Sequence, residues 1–138
     1  MRGSHAIFDF YQAEQAKLEQ ADRLKASLEK VFSEATFVIE KDMYHQFEPH
    51  GVTASLISKN CQLSIHTWPE HHSFTVDFYS SLDKLEMLKF CEIIKTEFSA
   101  REYDMRIIRS ELGLAATHKK DIELHVDENG TVPCSEGL

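Results

Sequence analysis

Three alternating stretches, GVTASLIS (51–58), QLSIHTW (62–68) and SFTVDFYS (73–80), follow one another with only a few residues between them. A parallel pairing needs a crossover of roughly a dozen residues or more. The connectors SKNC and PEHH leave no room for one, so the middle of the chain must fold back on itself as antiparallel strands. Within 62–68, Leu63, Ile65 and Thr67 point one way while Ser64, His66 and Trp68 point the other. Phe74, Val76 and Phe78 likewise oppose Thr75, Asp77 and Tyr79.

The flanking sequence supplies a cover for such a sheet. HAIFDFYQ (5–12) reads as a first strand. From Glu14 to Ser33, Leu18, Ala21, Leu24, Leu28, Val31 and Phe32 recur at three- and four-residue steps, the stripe of an amphipathic helix. ATFVIEKDMYHQF (35–47) reads as a strand and EPHG as a turn. A second helix is expected from about Asp83 to Ser99, with Leu85, Leu88, Cys91, Ile94 and Phe98 inward. EYDMRIIRSEL (102–112) is a late strand and DIELHV (121–126) a candidate short one, while LGLAATHKKD and DENGTVPCSEGL lack sustained periodicity. The expectation is an α+β two-layer sandwich, a mainly antiparallel sheet with two helices on one face. Residues 1–138 are read as one domain, with 113–138 a loop and tail.

Composition narrows the function. A net charge of −8 argues against a phosphate-backbone partner, so no nucleic acid is expected. No apolar run approaches the roughly 20 residues of a membrane span, and MRGSHAIF lacks the apolar segment of a secretory signal. Three cysteines without paired spacing point to a reducing, cytoplasmic location. His45, His50, His66, His71 and His72 gather near two turns with Cys61 close by, but without a compact metal-ligand spacing, and no metal is expected. No pattern marks the oxyanion hole of a Cys/His/Ser hydrolase. Taken singly, Trp68–Pro69 reads as a core aromatic and strand terminator, His66 as a hydrogen-bonded histidine and Cys61 as a small buried hydrophobe.

Taken together, these residues carry a resemblance. LSIHTWPE, following G-V-T and a branched strand, resembles the core of prokaryotic S-adenosylmethionine decarboxylases. HAIFDFYQAE, FEPHGVTASLIS, VDFYSS and the 83–99 helix extend the likeness over roughly residues 4–112. In that family a serine attacks the carbonyl of its preceding residue, and the resulting ester eliminates to leave a pyruvoyl group on the new N-terminus. The pyruvoyl ketone is the electron sink for decarboxylation, and a cysteine reprotonates the product.

The resemblance implies roles by position. Asn60, Cys61 and Gln62 stand where the family has Glu-Ser-His, so Asn60–Cys61 is the expected cleavage point. Ser81 stands where the family has its proton-donating cysteine. Thr53 keeps the hydroxyl that helps stabilise the oxyanion of self-cleavage, and His66 matches the histidine that moves the maturation proton. Phe47 matches an aromatic that stacks on adenine, and Glu70 a carboxylate that holds the ribose hydroxyls. A thiol thus replaces a hydroxyl at 61 and a hydroxyl replaces a thiol at 81. Cys61 ionises more readily than serine and is a competent nucleophile. Its thioester can eliminate toward a pyruvoyl group or simply hydrolyse. Ser81 is the weaker acid, a poorer match to proton donation near neutral pH.

The implied protein is a homodimer acting on S-adenosylmethionine or a related amino acid in polyamine synthesis. The alternative is an unprocessed, inactive paralogue that binds the same ligand or partners an active subunit.

Overall fold

The computed structural model of the chain describes residues 3–108 and 122–136. In chain order the elements are β1 (Ser4–Tyr11), α1 (Ala21–Glu34), β2 (Lys41–Gln46), β3 (Val52–Ile57), β4 (Cys61–Trp68), β5 (Ser73–Ser80), α2 (Lys84–Glu97), β6 (Glu102–Ile108), β7 (Ile122–Asp127) and β8 (Gly130–Glu136). The eight strands form one sheet in the order β2-β3-β4-β5-β1-β6-β7-β8. Every pairing in it is antiparallel.

Register divides the sheet into two unlike faces. Ala54, Ile65, Val76, Phe8, Met105 and Leu124 lie side by side across six strands, and all are buried. They join Leu24, Leu28, Val31 and Phe32 of α1 and Met87, Phe90, Cys91 and Ile94 of α2 in one core. The neighbouring row on the opposite face reads His45, Thr53, His66, Thr75, Asp9, Asp104 and His125. Among the described residues that face bears no helix, and several of its side chains pair with one another. Thr75 donates to Asp9 at 2.6 Å, Tyr11 donates to Asp104 at 3.0 Å, and Ser55 pairs with Ser64 at 3.1 Å. The two-layer α+β sandwich is therefore as the alternation implies.

Several boundaries differ from the sequence reading. The first helix begins at Ala21, after a separate 3-10 turn at Gln15–Lys17, because its first N–H is capped from a distant strand. The Gln46 side-chain oxygen accepts from Ala21 N–H at 2.6 Å, while its amide donates to Glu19 O at 3.0 Å. β2 is confined to Lys41–Gln46, with Phe37 and Ile39 packed against the core ahead of it. In α2, Leu85 is exposed while Met87 and Phe90 are buried. Asp83 accepts from Glu86 N–H and Glu86 accepts from Asp83 N–H in a capping box, and Leu85 lies in the first turn after it. DIELHV does pair, as β7. The segment read as a tail turns back as β8, paired from Gly130 opposite Asp127 to Glu136 opposite Ile122 with a register shift between Glu123 and Leu124. Residues 109–121 of the expected late strand and loop lie outside the described residues.

Candidate active site

β4 carries the candidate residues to its two ends. Cys61 opens the strand, with its side chain buried on the core face at 2% exposure. It lies across from Ser80, the last residue of β5. The turn before it is tight: Ser58 N–H donates to Cys61 O at 2.9 Å. Ser58 Oγ accepts from Asn60 N–H at 3.2 Å and sits 3.4 Å from Cys61 Sγ. Ser81 follows β5 and is exposed, and its backbone N–H points at the Asn60 carbonyl oxygen at 3.5 Å. Leu82 N–H donates to Ser80 Oγ at 3.2 Å, so the 80–83 segment is held by that hydroxyl and by the α2 cap. The structure thus brings together Asn60, Cys61 and Ser81, and adds Ser58, which the sequence reading did not single out. The signal was present as a hydroxyl three residues before the thiol, across a turn.

Burial pushes the Cys61 thiol above its ordinary pKa, and the Ser58 hydroxyl partly offsets the shift by favouring the thiolate. The carbonyl that the thiol would attack faces the Ser81 N–H across a long contact of 3.5 Å. The geometry suits an intramolecular acyl shift, with the nucleophile on the residue that follows the carbonyl and a donor on its oxygen.

The far end of β4 gathers a second group. Thr53 and His66 are cross-strand partners, with Thr53 Oγ1 and His66 Nδ1 3.2 Å apart on the open face. Trp68 is half exposed on the same face, not a core aromatic, because it shares the parity of His66. Phe47 N–H donates to Gly51 O at 2.8 Å, and the loop so closed lies beside the Pro69 turn, where His50 Nε2 meets Glu70 Oε2 at 3.0 Å. Gly51 holds a φ of +106° in this loop, a conformation that a side chain disfavours. Its backbone N–H donates to Glu19 O at 3.0 Å. Phe47 and Glu70 therefore share an exposed corner. The Glu70 carboxyl lies below its ordinary pKa, first because its own backbone N–H donates to it and further because of His50. His50 was considered only as a metal ligand in the sequence, and its pairing with Glu70 appears only in the fold. Among the described residues no three metal-ligating side chains converge. Among the same residues, no helix is long and apolar enough to cross a membrane.

What one chain does not do is join the two groups. Cys61 and His66 are five residues apart on one strand, about 16 Å along it, and an odd separation puts their side chains on opposite faces. Gln62, the third residue of the expected cleavage motif, points to the open face. There it lines a hollow of about 470 Å³ with His5, Ser64, Asp77, Tyr79 and Ile108.

By shape and site the class is a small two-layer α+β chain with a thiol directly after a backbone carbonyl that faces the Ser81 N–H. The chain belongs to the S-adenosylmethionine decarboxylase family, whose profile matches residues 4–111. It is 30% identical over 124 residues to an S-adenosylmethionine decarboxylase proenzyme of Prochlorococcus marinus, covering 87% of this chain and 99% of that one. It is 30% identical over 105 residues to the proenzyme of Aquifex aeolicus, covering 76% and 78%. The crystal structure of the Aquifex aeolicus adenosylmethionine decarboxylase superposes with a TM-score of 0.70 at 28% identity, over 81% of this chain and 93% of the other.

Proposed function

We propose that this chain is a self-cleaving, pyruvoyl-dependent decarboxylase of S-adenosylmethionine that works as a homodimer and serves polyamine synthesis. The observation that carries the reading is the Asn60–Cys61 peptide, whose carbonyl oxygen meets the Ser81 N–H while the Cys61 thiol follows it in the chain. In the proposed maturation, Cys61 Sγ bonds to the Asn60 carbonyl carbon and the C–N bond breaks. The thiol proton ends on the departing amine. Loss of the Cys61 α-proton then breaks the Cβ–S bond, releasing Asn60 as a thiocarboxylate and leaving an alkene. Water converts that alkene to the ketone with loss of ammonia. The donor set fits this group, since the bond to be cut is next to the thiol and its oxygen faces the Ser81 N–H. When formed, the group supplies the electron sink that decarboxylation requires.

The separation of the two residue groups supports a second copy as part of the site. A two-fold axis that set the Thr53–His66 end of β4 in one copy beside the Asn60–Cys61 turn of the other would do so twice over. In this arrangement Thr53 and His66 of one copy assist oxyanion formation and proton movement at Cys61 of the other. The exposed ring of Phe47 stacks on adenine, and Glu70, held ionised by its backbone bond and by His50, accepts the ribose hydroxyls. Ser81 acts as the proton donor to the product carbon, with the modest acidity of a hydroxyl.

The direct test is release of labelled carbon dioxide from carboxyl-labelled S-adenosylmethionine by the purified protein. The reading expects release that a carbonyl reagent abolishes. Binding of the same ligand by an uncut chain without release would favour the inactive-paralogue alternative instead.

A further inference from the structure

We infer that Ser58 is a catalytic residue of chain self-cleavage, one that holds the Cys61 sulfur and stabilises its thiolate as the Asn60–Cys61 bond is attacked. The inference rests on the proposed self-cleavage and adds a residue to which the family resemblance assigns no role.

The argument is one of hydrogen-bond accounting. A hydroxyl has one hydrogen to donate and two lone pairs to receive. One lone pair of Ser58 Oγ is engaged by Asn60 N–H at 3.2 Å. The remaining close partner is Cys61 Sγ at 3.4 Å, where either group can donate while the thiol is neutral and only the Ser58 hydroxyl can once the sulfur is ionised. Ser58 is itself buried at 6% exposure, which keeps water from replacing it. Its backbone N–H closes the turn on Cys61 O at 2.9 Å, which fixes the distance between hydroxyl and sulfur.

The consequence is specific to a thiol nucleophile. Burial opposes ionisation of Cys61, and the Ser58 hydroxyl favours it. As the thiol loses its proton, the Ser58 O–H bond to sulfur becomes charge-assisted and strengthens. Ser58 and Ser81 N–H then act on the two ends of the same reaction. One stabilises the attacking sulfur and the other the carbonyl oxygen that becomes an oxyanion. No proton leaves Ser58 in this role; the thiol proton still passes to the departing amine.

The test follows cleavage between Asn60 and Cys61 by intact mass, over a pH series, in the full chain and in Ser58→Ala and Ser58→Thr. Loss of a hydrogen bond to an ionised group slows cleavage by about 10- to 100-fold in Ser58→Ala and moves the pH for half-maximal rate upward. Ser58→Thr keeps the hydroxyl and restores the profile. Equal rates and superposable pH profiles in wild type and Ser58→Ala would overturn the inference while leaving self-cleavage intact. If wild type is never cut, the functional reading fails instead, and the Ser58 contact is still decided by the pH titration of the Cys61 ¹³Cβ resonance in the folded, uncut chain. There the alanine variant shifts the titration to higher pH, and an unchanged titration would refute it. Matching melting temperatures among the three proteins separate this effect from a loosened fold.

Discussion

At residue 61 the proposed maturation assigns the attack to a thiol, whose environment sets when it can act. Burial favours the neutral thiol, so the fold gains stability from it below the ordinary thiol pKa of about 8.5 and loses that gain as pH rises through the folded value. In the proposed maturation the attacking species is the thiolate. Cleavage is therefore expected to accelerate as pH climbs through and beyond the ordinary thiol range, read as fragment yield against time at each pH. A rate independent of pH would argue that the thiol is not the nucleophile. The complementary exchange sits at Ser81, exposed after β5. Restoring the stronger acid with Ser81→Cys should raise turnover of matured protein by about 10²-fold, the lower end of what a matched general acid contributes. An unchanged turnover would show that proton donation does not pass through this position.

At the scale of elements, β4 decides the site, and its parity was legible before any coordinates. The alternation of Leu63, Ile65 and Thr67 against Ser64, His66 and Trp68 is the alternation of buried and open faces in the sheet. Helix register was less legible. The apolar residues of 84–98 fit more than one stripe, and the one that packs into the core buries Met87 and Phe90 and leaves Leu85 exposed in the first turn after the Asp83–Glu86 cap. β8 was not legible because GTVPCSE has no alternating pattern and is held by its pairing to β7. Likewise, no local signal marks Gln46 as the cap of α1, since the two lie 25 residues apart. The core itself follows from the pattern. Phe78 packs its ring 4.9 Å from Phe90 and 5.4 Å from Phe8, joining sheet to helix. Phe78→Ala should cost about 3–5 kcal/mol in denaturant unfolding, the usual penalty for emptying such a site. A loss below about 1 kcal/mol would mean that this contact does not knit the two layers.

For the whole molecule, the division of the candidate residues between the two ends and two faces of β4 fits the proposed composite site. The motif residues were all visible in the sequence, yet their sequence proximity hid the fact that Cys61 and His66 face opposite sides of one strand. A composite site makes a sharp prediction for mixed dimers. His66→Ala alone and Cys61→Ala alone should each remain uncut. Co-expressed and paired, they should cleave the His66→Ala chains only, because those chains keep Cys61 and receive His66 from the other copy. Failure to restore cleavage in pairs shown to be mixed dimers would argue for a site complete within one chain.

The most direct measurement is the intact mass of the wild-type protein after incubation at mildly alkaline pH, with and without a carbonyl reagent. The account predicts two fragments parted between Asn60 and Cys61. The first should end in a thiocarboxylate, heavier than a carboxylate by the difference between sulfur and oxygen, and the second should begin with a ketone that takes up the reagent. A chain that stays whole, or one whose second fragment begins with intact cysteine, would contradict it.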